Sequence, residues 1–113
     1  SMIFAGDVPE GWSAELMRGA PDHLVEGALR AARQAGAHGR GDGSSRALVV
    51  SCIGRKLMMG QRISDEFEVS RDEWGPIPTI GFYSYGEICP HGVTGTCTLH
   101  NQTMTVTVFS EAA

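Results

Sequence analysis

At 113 residues the chain has room for one compact domain, and 42% hydrophobic with 19% charged residues is the make-up of an ordinary globular protein. A net charge of −4 and a pI near 5.4 leave no basic surface to neutralise phosphates, which argues against nucleic acid as a partner. No apolar run approaches the roughly 20 residues that span a bilayer and no signal segment opens the chain, so no membrane insertion is expected and the chain reads as cytoplasmic.

The three cysteines, an odd number, fit reduced thiols better than a disulfide framework. Ser1-Met2 reads as a cloning remnant ahead of a strand, which makes the chain an excised piece. Met2 to Val8 and Trp12 to Met17 flank Pro9-Glu10-Gly11, a turn cluster, and read as a hairpin. Pro21-Asp22 opens a helix with Leu24, Val25, Ala28, Leu29, Ala32 and Ala35 on one face, and Gly36 stops it. Residues 37–45 hold three glycines and two serines, a surface loop where disorder is expected.

Ala47 to Ile53 is a continuous β-branched apolar run, the pattern of a central strand covered on both faces. Met59, Ile63 and Phe67 step by four, with Leu57 and Trp74 roughly in line, so Arg55 to Trp74 reads as a helix that Gly60 bends and Gly75-Pro76 close. Ile77 to Tyr83 is the next strand, parallel to the first because a helix joins them by a right-handed crossover. In the tail, Cys97 and Leu99 lie on one parity and Met104, Val106 and Val108 on the other, which a turn or bulge near His100 to Gln102 reconciles. The fold class is α+β: a mixed sheet of about five or six strands with two main helices, one a β-α-β crossover.

Ligands favour the crevice beyond the carboxyl ends of parallel strands, where loops converge on a rigid support. There the first strand ends at Ser51-Cys52-Ile53-Gly54-Arg55 and the second at Tyr83-Ser84-Tyr85-Gly86-Glu87. Cys52, Gly54, Arg55, Ser84, Gly86 and Glu87 are expected around one crevice. Gly54 would free backbone N–H groups at a helix start, Arg55 would fork a planar anion, and Glu87 would take an ammonium, a set that suits an amino-acid zwitterion. The structural reading stands beside it: Gly81 and Gly86 for packing and a turn, Tyr83 and Tyr85 as sheet-face residues, Cys52 as a core thiol, and Arg55 with Glu87 as a plain ion pair. No Ser–His–Asp or Cys–His spacing argues catalysis, so an enzyme is not expected.

A second constellation, Cys89-Pro90-His91 with Cys97 and His100, offers four zinc ligands within twelve residues, without the spacing of a familiar finger. Cys-Pro also resembles a short haem-responsive motif, with Cys89, His91 or His100 as axial candidates. The structural reading makes His91 a loop residue and lets His100-Asn101 cap a β-turn. His23 and His38 read as solvated, and Met58-Met59 and the Met104, Val106, Val108 stripe as core.

Three ordered motifs, Ser51-Cys52-Ile53-Gly54-Arg55, Gly81-Phe82-Tyr83-Ser84-Tyr85-Gly86-Glu87-Ile88 and Leu99-His100-Asn101-Gln102-Thr103, resemble the C-terminal half of the FIST (F-box and intracellular signal transduction) family. The chain departs from the pattern at Lys56, where a glycine often follows the arginine. The resemblance implies that residues 1–113 form a single FIST C-type domain without the family's N-terminal half. It implies an intracellular sensory domain, not a catalyst, that binds a small ligand such as an amino acid and signals to an associated output module. The ligand-binding residues so implied are Cys52, Gly54, Arg55, Tyr83, Ser84, Gly86, Glu87, His100 and Asn101, with no cofactor. The alternatives in the family are a haem-based nitric-oxide sensor, drawing on Cys89, His91, Cys97 and His100, and a protein-interaction scaffold as in F-box proteins. Isolated from its N-terminal half, the fragment is expected to form a homodimer through Met2 to Val8 or Met104 to Phe109.

Overall fold

The computed structural model describes residues 1–4, 6–36, 45–92 and 94–111. The order is α1 (Pro21–Gly36), β1 (Arg46–Cys52), α2 (Ile53–Met59), a 3₁₀ turn (Gly60–Arg62), α3 (Ile63–Trp74), β2 (Thr79–Ser84), β3 (Glu87–Pro90), β4 (Cys97–His100) and β5 (Met104–Phe109). The fold is α+β, with five strands divided between a mixed three-stranded sheet, β2-β1-β5, and a separate antiparallel pair, β3-β4.

β1 is central, as its apolar run predicts. It pairs in parallel with β2, Ala47 opposite Thr79 through Cys52 opposite Ser84, and antiparallel with β5, Arg46 opposite Phe109 through Ser51 opposite Met104. Alternation sends Ala47, Val49 and Ser51 to one face, where they are buried under the helices. There Val49, Ala28 of α1 and Met104 of β5 form the core, flanked by Phe67, Val69, Trp74 and Val106. The methyl side chains of Ala28 and Ala32, both fully buried, let α1 lie close against its neighbours.

Three expectations need correction. β1 is covered on one face only: both long helices lie on the Val49 side, leaving Leu48 and Val50 half-exposed on the other. At the N-terminus the turn forms, with Trp12 N–H donating to the Pro9 carbonyl at 3.2 Å and Gly11 at φ 84°, but the described residues of the flanking segments do not pair as strands. Two short strands with no third to pack on gain too little to hold together in water. The single helix expected over 55–74 starts at Ile53 and is divided at Gly60, whose φ of 55° ends α2 before the chain resumes as α3. The expected loop disorder falls on residues 37–44, outside the described residues, while Ser45 is buried and shares a 2.8 Å hydrogen bond with Ser110.

The turn expected near His100 is present. Asn101 and Gln102 bend, Gln102 takes φ 56°, and the chain leaves the β3-β4 pair to enter β5. Among the described residues no helix is long and apolar enough to cross a membrane.

Candidate functional site

Two buried carboxylates occupy the carboxyl end of the sheet, and they have opposite surroundings. The parallel register sets Cys52 beside Ser84. Tyr85 and Gly86 then turn the chain so that Glu87 opens β3 with only 3% of its surface exposed. The Ser84 hydroxyl donates to Glu87 Oε1 at 2.5 Å and the Thr103 hydroxyl to Oε2 at 2.7 Å. Cys52, also buried, donates its backbone N–H to the Thr103 carbonyl at 3.0 Å, which fixes Thr103 against the end of β1. His100 stands opposite Glu87 in the β3-β4 register, and the Asn101 side-chain oxygen lies 3.6 Å from where a side chain on Gly86 would begin. A side chain on Gly54 would begin 3.1 Å from Gln102 Cγ and 3.7 Å from the Cys52 sulfur. Cys52, Gly54, Ser84, Gly86, Glu87, His100 and Asn101 are therefore gathered at one end of the sheet.

Arg55 belongs to a different network. It is 4% exposed, and its Nε donates to Glu66 Oε2 at 3.0 Å. Nη2 donates to the Leu24 carbonyl at 2.7 Å and Nη1 to the Gln102 carbonyl at 3.4 Å. Glu66, with no exposed surface, also accepts the Ser51 hydroxyl at 3.0 Å. The ion pair considered between Arg55 and Glu87 is thus not the one that forms. The guanidinium is enclosed by α1, α3 and the turn before β5, and no fork faces an open anion site. The helix start at Ile53 puts Arg55 on the first turn of α2, within reach of the α3 carboxylate.

Tyr83 is separated from the Glu87 cluster by strand alternation, which places it on the helix side while Ser84 points the other way. Lys56 Nζ lies 5.0 Å from the Tyr83 ring centroid, a cation–π contact. Burial pushes the Tyr83 phenol pKa up, the Glu66 charge adds to this, and Arg55 opposes it. Tyr85 is 89% exposed and lies beyond the strand.

The zinc grouping does not assemble: among the described residues no three His, Cys, Asp or Glu side chains converge to hold a metal. In the β3-β4 register Cys89 faces Thr98 and Cys97 faces Pro90, which alternation places on opposite faces. His100 Nε2 shares a 3.0 Å hydrogen bond with the Thr98 hydroxyl. Burial, then the neighbouring Cys97 and Glu87, push the Cys89 thiol pKa up.

Sequence reasoning misses Thr103, Ser51 and Glu66. Thr103 closes the Leu99-to-Thr103 motif, and a hydroxyl at the entry to a strand beside buried residues is a signal that could have marked it. Glu66 lies three residues after Ile63 and one before Phe67, on the inward side of an amphipathic helix, where a carboxylate needs a buried partner.

The hydroxyl-lined carboxylate is chemically unusual. A buried charge is normally paired, and Glu66 is. Glu87 has two neutral hydroxyl donors and, among the described residues, no cation. A carboxylate offers about four lone-pair sites, so its capacity to accept is half used. Such a group can take a cationic donor without losing the contacts that hold it.

The family model of the FIST C domain matches residues 1–90. The match takes in the Ser51-to-Arg55 and Gly81-to-Ile88 motifs and ends before Leu99 to Thr103. No curated protein and no solved structure matches the chain.

Proposed function

The chain belongs to the FIST C domain family, a family of signal-transduction domains, and from that premise we propose that it is a non-enzymatic, cytoplasmic sensory domain. It binds a small ligand bearing an ammonium group, an amino acid being the class that fits, and passes the bound state to an associated output module or N-terminal FIST half. The observation that carries this reading is Glu87: a carboxylate buried to 3% exposure at the carboxyl ends of two parallel strands, met among the described residues by hydroxyls alone. Burying an unpaired carboxylate costs several kcal/mol, by order of magnitude, and an arriving ammonium recovers part of that cost as binding free energy. His100 and Asn101 stand beside the carboxylate as polar groups for the rest of the ligand.

The same contacts supply a route for the signal. Glu87 opens β3, while Thr103 is tied to β1 through the Cys52 N–H, so the carboxylate joins the β3-β4 pair to the main sheet. A ligand that redirects the carboxylate changes how that pair sits. The free thiols of Cys52, Cys89 and Cys97 accord with a reducing compartment, and the reading requires no cofactor.

The test is calorimetric titration and thermal shift with individual amino acids, simple alkylamines and haemin. Amino acids should raise the melting temperature, and Glu87→Gln should weaken binding at least tenfold with the fold intact. Stoichiometric uptake of haemin with a Soret band, and no response to amines, would replace this reading with the haem sensor. Ligand-independent capture of a macromolecule would replace it with the scaffold.

A further inference from the structure

The two outer strands of the main sheet are not equally protected. In β5, Met104 is buried and Thr105, Val106 and Val108 are partly covered. In β2, Thr79, Ile80, Gly81 and Phe82 are all exposed, on both faces of the sheet. Ile80 keeps 73% and Phe82 59% of their surface in water. The helices that cover Val49 do not extend over this strand, and among the described residues no strand pairs with its outer edge.

Natural edge strands are normally blunted by a lysine, a proline, a bulge or an inward charge. Thr79-Ile80-Gly81-Phe82-Tyr83-Ser84 has none of these and runs in unbroken register with β1. An uncharged strand is also self-complementary, because bringing two copies together sets no like charges against each other, while each copy offers the outward N–H and C=O groups the other lacks.

We infer that β2 is a self-association surface: it pairs antiparallel with β2 of a second copy across a two-fold axis, joining two three-stranded sheets into one of six strands. The register that keeps the apolar residues together is centred on Gly81. It sets Ile80 of each copy against Phe82 of the other on the open face, and Thr79 against Tyr83 on the helix side.

Strand pairing alone falls short of the roughly 800 Å² per partner of a stable interface. The association it supports is therefore a weak, concentration-dependent one, centred on Ile80 and Phe82.

Sedimentation velocity over a concentration series, combined with hydrogen exchange at low and high concentration, tests this. The expected result is a concentration-dependent dimer whose amides in 79–84 gain protection as it forms. The Ile80→Lys, Phe82→Lys double variant should raise the dimer dissociation constant by roughly a hundredfold or more, since like charges then face each other across the axis. Thr107→Lys, a charge on the β5 edge, should leave it unchanged. A monomer throughout the series overturns the inference. So does a dimer that gains its protection elsewhere and tolerates lysine at 80 and 82, which would point to the β5 edge or the N-terminal segment alone.

Discussion

Replacing Glu66 by leucine removes the one charge that, among the described residues, compensates Arg55. The guanidinium is 4% exposed and Glu66 has no exposed surface, so water cannot replace the lost carboxylate. Breaking a buried ion pair from one side costs about 3–5 kcal/mol. The Ser51 hydroxyl, stranded without its 3.0 Å acceptor, adds about 1 kcal/mol. Against the 5–15 kcal/mol typical of a domain, such a loss is about a third or more of the total, and it should lower Tm by about 20 °C. The double variant Arg55→Met, Glu66→Leu removes both charges and restores apolar packing, so it should recover most of the loss. Urea unfolding followed by far-UV circular dichroism, with the m-value checked for constancy, measures all four corners of the cycle. If Glu66→Leu lies within about 1 kcal/mol of the parent, or if the two single losses simply add, the charges do not compensate each other. Arg55 would then be free to serve a ligand and the structural assignment made for it fails.

Gly81→Ala should cost about 1–3 kcal/mol, because the new Cβ would sit 2.5 Å from the Val49 carbonyl oxygen of the neighbouring strand, which cannot move without breaking register. Gly86→Ala meets the end of the Leu99 side chain at 3.2 Å, which can swing aside, and the Asn101 and His100 oxygens at an ordinary contact distance of 3.6 Å, so it should stay within about 0.5 kcal/mol of the parent; equal losses in a urea titration would show that the close approach at Gly81 is not the cause. Tyr83 keeps its proton longer in the folded than in the unfolded chain, so its contribution is present below its ordinary pKa of 10.0 and is lost as pH rises through the raised folded value. Tyr83→Phe should flatten the alkaline fall in stability, and an unchanged pH profile would contradict the burial assigned to the ring. Cys89, with its thiol pKa raised by burial, should react with iodoacetamide more slowly than free glutathione at mildly alkaline pH, as site-resolved mass spectrometry would record, and a faster rate would refute that placement.

How far the chain could be read without its structure differs from element to element. The helix opened by Pro21-Asp22, the apolar run of β1 and the strand after Gly75-Pro76 are written in local periodicity, and each forms within two residues of its expected limits. A helix between two apolar runs also determined that β1 and β2 run parallel. Their ends therefore meet, and Cys52, Ser84 and Glu87 were legible as neighbours. Which charge meets which was not. Arg55 and Glu87 looked complementary because both follow strand ends, but a side chain's partner depends on the rotation of helices about their axes and on how closely they pack. Small residues at Ala28 and Ala32 draw α1 in, and Leu24 and Glu66 are thereby brought to the guanidinium before Glu87 can reach it. In the same way, an apolar run announces burial without saying on how many faces. The residues alone determined the α+β class, the parallel pair and the motif-bearing end of the sheet. Only the tertiary structure decided that both helices share one side, that Arg55 is sealed by Glu66 while Glu87 is left with hydroxyls, and that β2 stands bare, because each of these follows from distances between segments remote in the chain, which local pattern does not encode.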